Sequence, residues 1–315
     1  MADVNYIFFL SFTIIVIGFI IKKLNLITQE NGRVIAKLIL NVTLPALILS
    51  VVTNIKINIT LILLPFICFG FNIIVFSFSA IIFRNKQKEL KGLILMAVIG
   101  FNIGLFAYPI IEGIWGQEGL IYIAMFDIGN AFIIFVLCYS IGSYFSRKKA
   151  EELKEVSHIY RFKIILLSLL KSVPLMAYII ALILNVIKFQ FPIFVSDLLD
   201  IIARANFALT LLLLGIYLNF KFKKEQWATI LKVLIIRYSF GLVIGLTLFF
   251  ILPSSFSLLY RGIILIGLIL PIGMAVIPFS VEFEYDEKLI GMMVNLSLII
   301  SFILMWFFIV FFGIS

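Results

Sequence analysis

The 315-residue chain has one histidine and two cysteines, and charged residues make up only 13% of it. Zinc hydrolysis through a paired-histidine helix needs a second histidine, so that chemistry is excluded. Cys68 and Cys138 both sit in apolar surroundings and are too few for a disulfide framework or a soft-metal cluster. A soluble domain carries about 25% charge, and at half that level there is too little polar surface to cover a globule in water. Hydrophobic residues fill the space, at 63%. A bilayer is spanned by about 20 apolar residues, and such stretches recur along the whole chain. A transmembrane barrel needs alternating polar and apolar residues, whereas runs such as Ile244 to Leu252 are apolar all round. The composition therefore specifies an all-α, multi-pass membrane protein.

Interruptions by charge and turn residues divide the chain into ten expected helices. They are Val4–Ile21, Val34–Val52, Thr60–Phe83, Gly92–Gly113, Leu120–Phe145, Ile164–Ile187, Val195–Leu218, Gln226–Leu252, Phe256–Phe279 and Lys288–Phe312. The first is preceded by Asp3 and followed by Lys22 and Lys23, the reverse of a cleavable signal, so it reads as a retained helix. Positive charge marks the cytoplasmic side. It gathers after the first stretch (Lys22, Lys23, Arg33, Lys37), the third (Arg84, Lys86, Lys88, Lys91), the fifth (Arg147 through Lys163) and the seventh (Lys221, Lys223, Lys224). Both termini are then expected outside the cytoplasm, and the net charge of +9 reflects topology and anionic lipid rather than nucleic acid. His158 falls in the charged connection after the fifth stretch, where it is solvated and offers no proton relay. Trp115 and Trp227 read as interfacial anchors.

Asn41 to Ile57 reads NVTLPALILSVVTNIKI and Asn206 to Phe222 reads NFALTLLLLGIYLNFKF, an offset of 165. Asn41/Asn206, Asn54/Asn219 and Lys56/Lys221 coincide, and the same offset pairs Asn130 with Asn295. Three polar coincidences in one register outweigh matching leucines. The offset carries the second stretch onto the seventh and the fifth onto the tenth, so the unit is five helices and the second copy enters the membrane from the opposite side. Residues 1–145 and 164–315 would be the two inverted units, joined by a cytoplasmic loop at 146–163. Carriers built this way handle substrate near the midplane, at discontinuous helices. Proline within a spanning helix frees a carbonyl that only protein or a wet cavity satisfies. The fourth stretch holds GFNIGLFAYP, ending at Pro109, and the ninth holds GLILPIGMAVIP, with Pro271 and Pro278. Pro109 and Pro271 are 162 apart, near the repeat offset, which points to both breaks as the substrate site.

These motifs resemble the auxin efflux carrier family of PIN-like and bacterial organic-acid permeases. NVTLPALIL at Asn41, NIGLFAYP at Asn102, GLIYIAMFDIGN ending at Asn130, LLLLG at Leu211 and LILPIGMAVIPF at Leu268 follow the family's order over nearly the whole chain. The resemblance implies ten helices in two inverted five-helix repeats with the fourth and ninth broken and crossing, a layout also met in sodium/proton antiporters. It implies a scaffold of helices 1, 2, 6 and 7, a transport domain of helices 3–5 and 8–10 that moves like an elevator, frequent dimers, and carboxylate substrates such as indole acetate or dicarboxylic acids. Asn102 carries over as a substrate-facing amide. After Pro271, however, come Ile272, Gly273, Met274, Ala275 and Val276, so the ninth helix offers backbone alone.

Further candidates are the intramembrane polar residues. Asn41, Asn130, Asn206 and Asn295 either line the cavity or tie helices together. Asp127 is deep enough to be a proton or cation site, or a structural ion pair. Arg237 is either the countercharge of a carboxylate or a salt-bridge partner of Asp127 or Glu282. Arg204, four residues after Asp200, reads as a surface pair. An aspartyl protease would need a second buried aspartate, no nucleotide-binding loop is present, and no cofactor or metal is called for. The expected function is secondary transport of a small carboxylate at a plasma membrane, with proton or sodium as candidate coupling ion and a homodimer as the expected assembly. A cation/proton antiporter or a channel on the same fold stands as the alternative.

Overall fold

A computed structural model describes residues 3–56, 58–146, 172–219 and 226–314. The connection expected at 146–163 (apart from Ser146), His158, the start of the sixth stretch and Lys221, Lys223 and Lys224 lie outside the described residues.

The described chain is helical: α1 (Val4–Lys23), α2 (Gln29–Leu38), α3 (Leu44–Val52), α4 (Ile59–Ile82), α5 (Lys88–Val98), α6 (Tyr108–Phe132), α7 (Tyr139–Phe145), α8 (Val173–Val186), α9 (Ile193–Tyr217), α10 (Trp227–Ile251), α11 (Leu258–Leu268), α12 (Val276–Glu282) and α13 (Glu287–Phe312). Three π-helical turns, Ile39–Thr43, Ile103–Ala107 and Ile133–Cys138, join α2 to α3, lead into α6, and join α6 to α7. Side chains start several of these helices by accepting free backbone N–H groups. Asn58 accepts from Leu61 at the head of α4, Ser257 from Tyr260 at α11, and Asp286 from Lys288 and Leu289 at α13.

Seven of the helical segments are long and apolar enough to cross a bilayer, and Val173–Val186 and Leu258–Leu268 are shorter apolar helices. One of the seven, Ile103–Phe145, has 43 residues, about twice what a bilayer needs. It reverses at Gly116, whose φ of 55° and ψ of −139° are open to glycine. Beyond the reversal, a Cβ on Gly119 would lie 2.9 Å from Ile111, eight residues back, where a straight helix would separate the two by about 12 Å. The loop expected between the fourth and fifth stretches is therefore compressed into a single glycine hinge. Apolar side chains cover the outside, with Phe9, Phe66, Ile193, Phe250 and Phe311 all more than two-thirds exposed. Such a surface is stable against lipid tails and not against water.

The helices pack as two groups. In one, α1 lies along α9, and α3 packs on both α8 and α9. Glycines bring the α1 and α9 backbones together: a Cβ on Gly18 would strike the Leu212 carbonyl, and one on Gly215 the Ile15 carbonyl. In the other group α4 packs on α6, α10 on α11, and α12 on α13. There Gly129 lies against the Pro65 carbonyl and Gly241 against that of Leu268. The seam between the groups is made by α6 and the turn before it, resting on α3 and α9.

Candidate functional site

Two segments stop being helical inside the second group and meet there. The first runs from the end of α5 at Val98 to the π turn at Ile103; the second runs from Leu268 to Val276. Gly100, at φ +74°, turns the first segment out of its helix, and a Cβ on it would collide with Ile134. The extended residues then pair: Phe101 bridges antiparallel to Ile272, and the Asn102 N–H donates to the Pro271 carbonyl at 2.9 Å. Four helix ends thus converge on a buried crossing.

Backbone groups released by the breaks need partners, and neighbouring helices supply them. From α4, Asn72 accepts from the Gly100 N–H at 2.8 Å. Asn130 on α6 clamps the Phe101 peptide, accepting from its N–H at 2.7 Å and donating to its carbonyl at 3.0 Å. On the other side the Ser297 hydroxyl accepts from the Ile272 N–H at 3.0 Å, and the Ser301 hydroxyl donates to the Ile269 carbonyl at 2.7 Å. Tyr238 donates to the Ser297 carbonyl and is bonded to the Ser301 hydroxyl, each at 2.7 Å. A Cβ on Gly273 would come within 2.7 Å of Ile134 and 3.3 Å of the Phe101 carbonyl, so the two segments approach through backbone.

Arg237 reaches this crossing from α10 with no exposed surface. Its guanidinium donates to the carbonyls of Val98 (2.9 Å), Gly100 (2.7 Å), Leu270 (3.1 Å) and Pro271 (3.1 Å), and lies 4.7 Å from the centre of the Phe101 ring. The expected salt bridge to Asp127 or Glu282 is not formed. Asp127 is instead bonded by the Asn130 amide at 2.9 Å and the Tyr178 hydroxyl at 2.6 Å, and Glu282 accepts from Tyr139 at 2.7 Å. Tyr178 is also bonded to the Tyr108 hydroxyl. Because Tyr178 belongs to α8 and Asp127 to α6, this chain crosses the seam between the two helix groups.

The remaining candidates divide by position. Asn102 is buried, and its side-chain NH2 has no partner among the described residues. Pro271 lies in the break itself, while Pro109 is the second residue of α6, past the π turn, much as Pro278 is the third residue of α12. The two prolines expected to correspond therefore occupy different places: the residue that precedes the bridge on the first strand, as Pro271 does on the second, is Gly100. Asn295 is buried but donates to the Asn219 carbonyl at 3.3 Å, away from the crossing. Asn41 is exposed and bonds within its own helix to the Lys37 carbonyl at 2.7 Å. Asp200 accepts from Ser50 at 2.7 Å in place of a pair with Arg204. Asn206 is fully buried, accepts from Thr43 at 2.9 Å, and leaves its own NH2 without a partner among the described residues. Gly104, two residues past Asn102, packs on Leu44, the neighbour of Thr43. Two buried, unused amide donors thus lie on opposite sides of one seam. A cleft of about 360 Å³ between α3, α6 and α9, lined by Ser50, Asn54, Gln117 and Asp200 among others, opens elsewhere and includes no residue of the crossing.

Asn72, Tyr178, Ser297 and Ser301 were missed from sequence. One signal was there for Asn72: it stands 165 residues before Arg237, the repeat offset itself. The serines, being common in membrane helices, carried none.

The family model described as membrane transport protein matches residues 7–309. An uncharacterized transporter of Methanocaldococcus jannaschii is 24% identical over 292 residues, covering 88% of this chain and 89% of that protein. A second uncharacterized transporter, of Methanothermobacter thermautotrophicus, is 21% identical over 295 residues, 92% of each chain.

Proposed function

The chain belongs to the membrane transport protein family, the auxin efflux carriers whose motifs it carries, and from that premise we propose that it is a secondary transporter of a small organic anion, with the carboxylate bound at the crossing. The observation that carries the reading is the unused NH2 of Asn102, buried 4% exposed beside the pairing of the two broken segments while the backbone groups around it are held. A buried donor without an acceptor is costly, and a carboxylate oxygen would satisfy it. The π turn that starts at Ile103, the residue after Asn102, leads into α6 and presents an amino end there, which favours negative charge. In this reading Asn206 meets the anion from across the seam, Pro271 and Gly273 supply the backbone wall, Pro109 fixes the start of α6, and Asn130 holds Phe101 in place. Asn41 and Asn295 stay outside the site.

The packing supports a division of labour. Helices α1, α2, α3, α8 and α9 act as the scaffold, and the crossing with its flanking helices moves against them like an elevator. The ten-span, inverted-repeat topology with both termini outside the cytoplasm, the plasma-membrane location and the dimer belong to the same proposal. A cation antiporter is disfavoured, because the carbonyl ends that would take a cation are already bonded to Arg237. Uptake of a panel of labelled mono- and dicarboxylates into proteoliposomes tests the reading. Uptake of at least one is expected, and Asn102→Ala should abolish it while leaving folded yield unchanged. Undiminished uptake by Asn102→Ala would remove the carboxylate from the crossing.

A further inference from the structure

A charge buried in a membrane protein without a countercharge is expensive, and Arg237 is such a charge: it forms no ion pair among the described residues. What surrounds it explains how it is tolerated. The four carbonyls it binds lie at, or two to three residues beyond, the C-terminal ends of α5 and α11. Each helix C-terminus carries a partial charge of about −0.5, so two of them converging make about one negative charge, matched by one guanidinium. Arginine suits the task because its planar fork delivers several N–H donors in fixed directions and it does not lose its proton. The Phe101 ring covers the guanidinium and adds a cation–π contact.

Carbonyls freed at half-helix ends are also what coordinates sodium in inverted-repeat carriers. We propose that Arg237 is the resident cation of the crossing, filling among the Val98, Gly100, Leu270 and Pro271 carbonyls the place a coupled sodium would require. The guanidinium nitrogens sit 2.7–3.1 Å from those oxygens, which leaves no room for a second cation. The amino end at Ile103 keeps its positive character for the anion, and the transport cycle proceeds with no sodium at this position. The consequence for transport rests on the carrier reading above; the occupancy itself does not.

The test is a measurement of thermal stability in detergent, with no transported substrate present, so its outcome is independent of whether the carboxylate assignment holds. Wild-type protein should unfold at the same temperature in sodium chloride and in choline chloride; a saturable sodium-dependent rise would overturn the proposal. Arg237→Ala should unfold several degrees lower and recover in millimolar methylguanidinium, or acquire a sodium-dependent rise that wild type lacks. A folded Arg237→Ala that responds to neither cation overturns it. Should Arg237→Ala fail to fold, Arg237→Lys is compared with Arg237→Met, which fills similar volume without charge. Lysine should remain the more stable of the two by several degrees, and equality between them would show that packing, not charge, is what the site needs.

Discussion

The two broken segments meet as equals in their backbones and are held by different chemistry. The first, around Phe101, is fixed by amides: Asn72 from α4 and both functional groups of Asn130 from α6. Around Ile272 the work is done by hydroxyls, from Ser297 and Ser301, tied to Tyr238. Asn72 and Arg237 are 165 residues apart, the offset that pairs Asn41 with Asn206, and there the first segment receives a neutral acceptor while a cation comes from the second position. An amide both donates and accepts, and it can pass a bond on. Asn130 does so, reaching Asp127 and through it Tyr178 on the other helix group. The hydroxyl side ends within its own group, at Tyr238. The two breaks thus differ in reach: one is wired to the seam, and the other is closed locally.

Substituting the two holders should separate them. Asn130→Ala leaves the Phe101 N–H and carbonyl without partners and removes a donor from Asp127. At about 1–3 kcal/mol for each buried group left unsatisfied, the loss should be at least about 3 kcal/mol, and uptake should disappear. Ser297→Ala orphans the Ile272 N–H and should cost about 1–2 kcal/mol. Unfolding in detergent, followed by helical signal, measures both. Equal costs would mean that the amide clamp gives no more than the hydroxyl does, and the contrast between the breaks would collapse.

A smaller effect is expected at the seam. Tyr178→Phe removes the hydroxyl that α8 gives to Asp127 but keeps the ring, the Asn130 clamp and the crossing. Its cost should be about 1 kcal/mol, as for a single side-chain hydrogen bond, and less than that of Asn130→Ala. Because the lost bond joins the two helix groups, the uptake rate should change while the sodium-insensitivity of wild type persists. An uptake rate identical to wild type would show that the Tyr178–Asp127 bond is not loaded during transport.

How much of this was legible in the sequence follows from where each signal is written. Membrane class and most helix positions are written in composition, because lipid demands long apolar runs. The location of the breaks is written in Gly100 and Pro271, with Pro109 and Pro278 just beyond them at the starts of the following helices. Gly116 was harder: it reverses a helix through one φ value, and its neighbours Trp115 and Gln117 look like an ordinary interface. The partners of Arg237 were out of reach for a different reason. They are carbonyls, which every residue has, and only the breaks make them available; a search for a charged partner naturally turned to Asp127 and Glu282. Pairing Pro109 with Pro271 failed similarly, since an offset measures chain distance and cannot tell a proline inside a break from one that starts the next helix.

Asn41 gives the smallest expected effect and bears on the comparison from the other side. By repeat register it matches Asn206, yet one is exposed and bonded to Lys37 within its own turn, whereas the other is fully buried with a free donor at the seam. Were sequence correspondence enough to assign function, the two would be interchangeable. Geometry says they are not: an exposed asparagine that returns its bond to the preceding turn can be lost for about 0.5 kcal/mol or less. Asn41→Ala should therefore leave both stability and uptake at wild-type values, while Asn206→Ala, measured in the same proteoliposomes, weakens uptake. If Asn41→Ala proves the more damaging, the substrate path runs along the outer face of the Ile39–Thr43 turn, and the seam between the helix groups loses its claim to the anion.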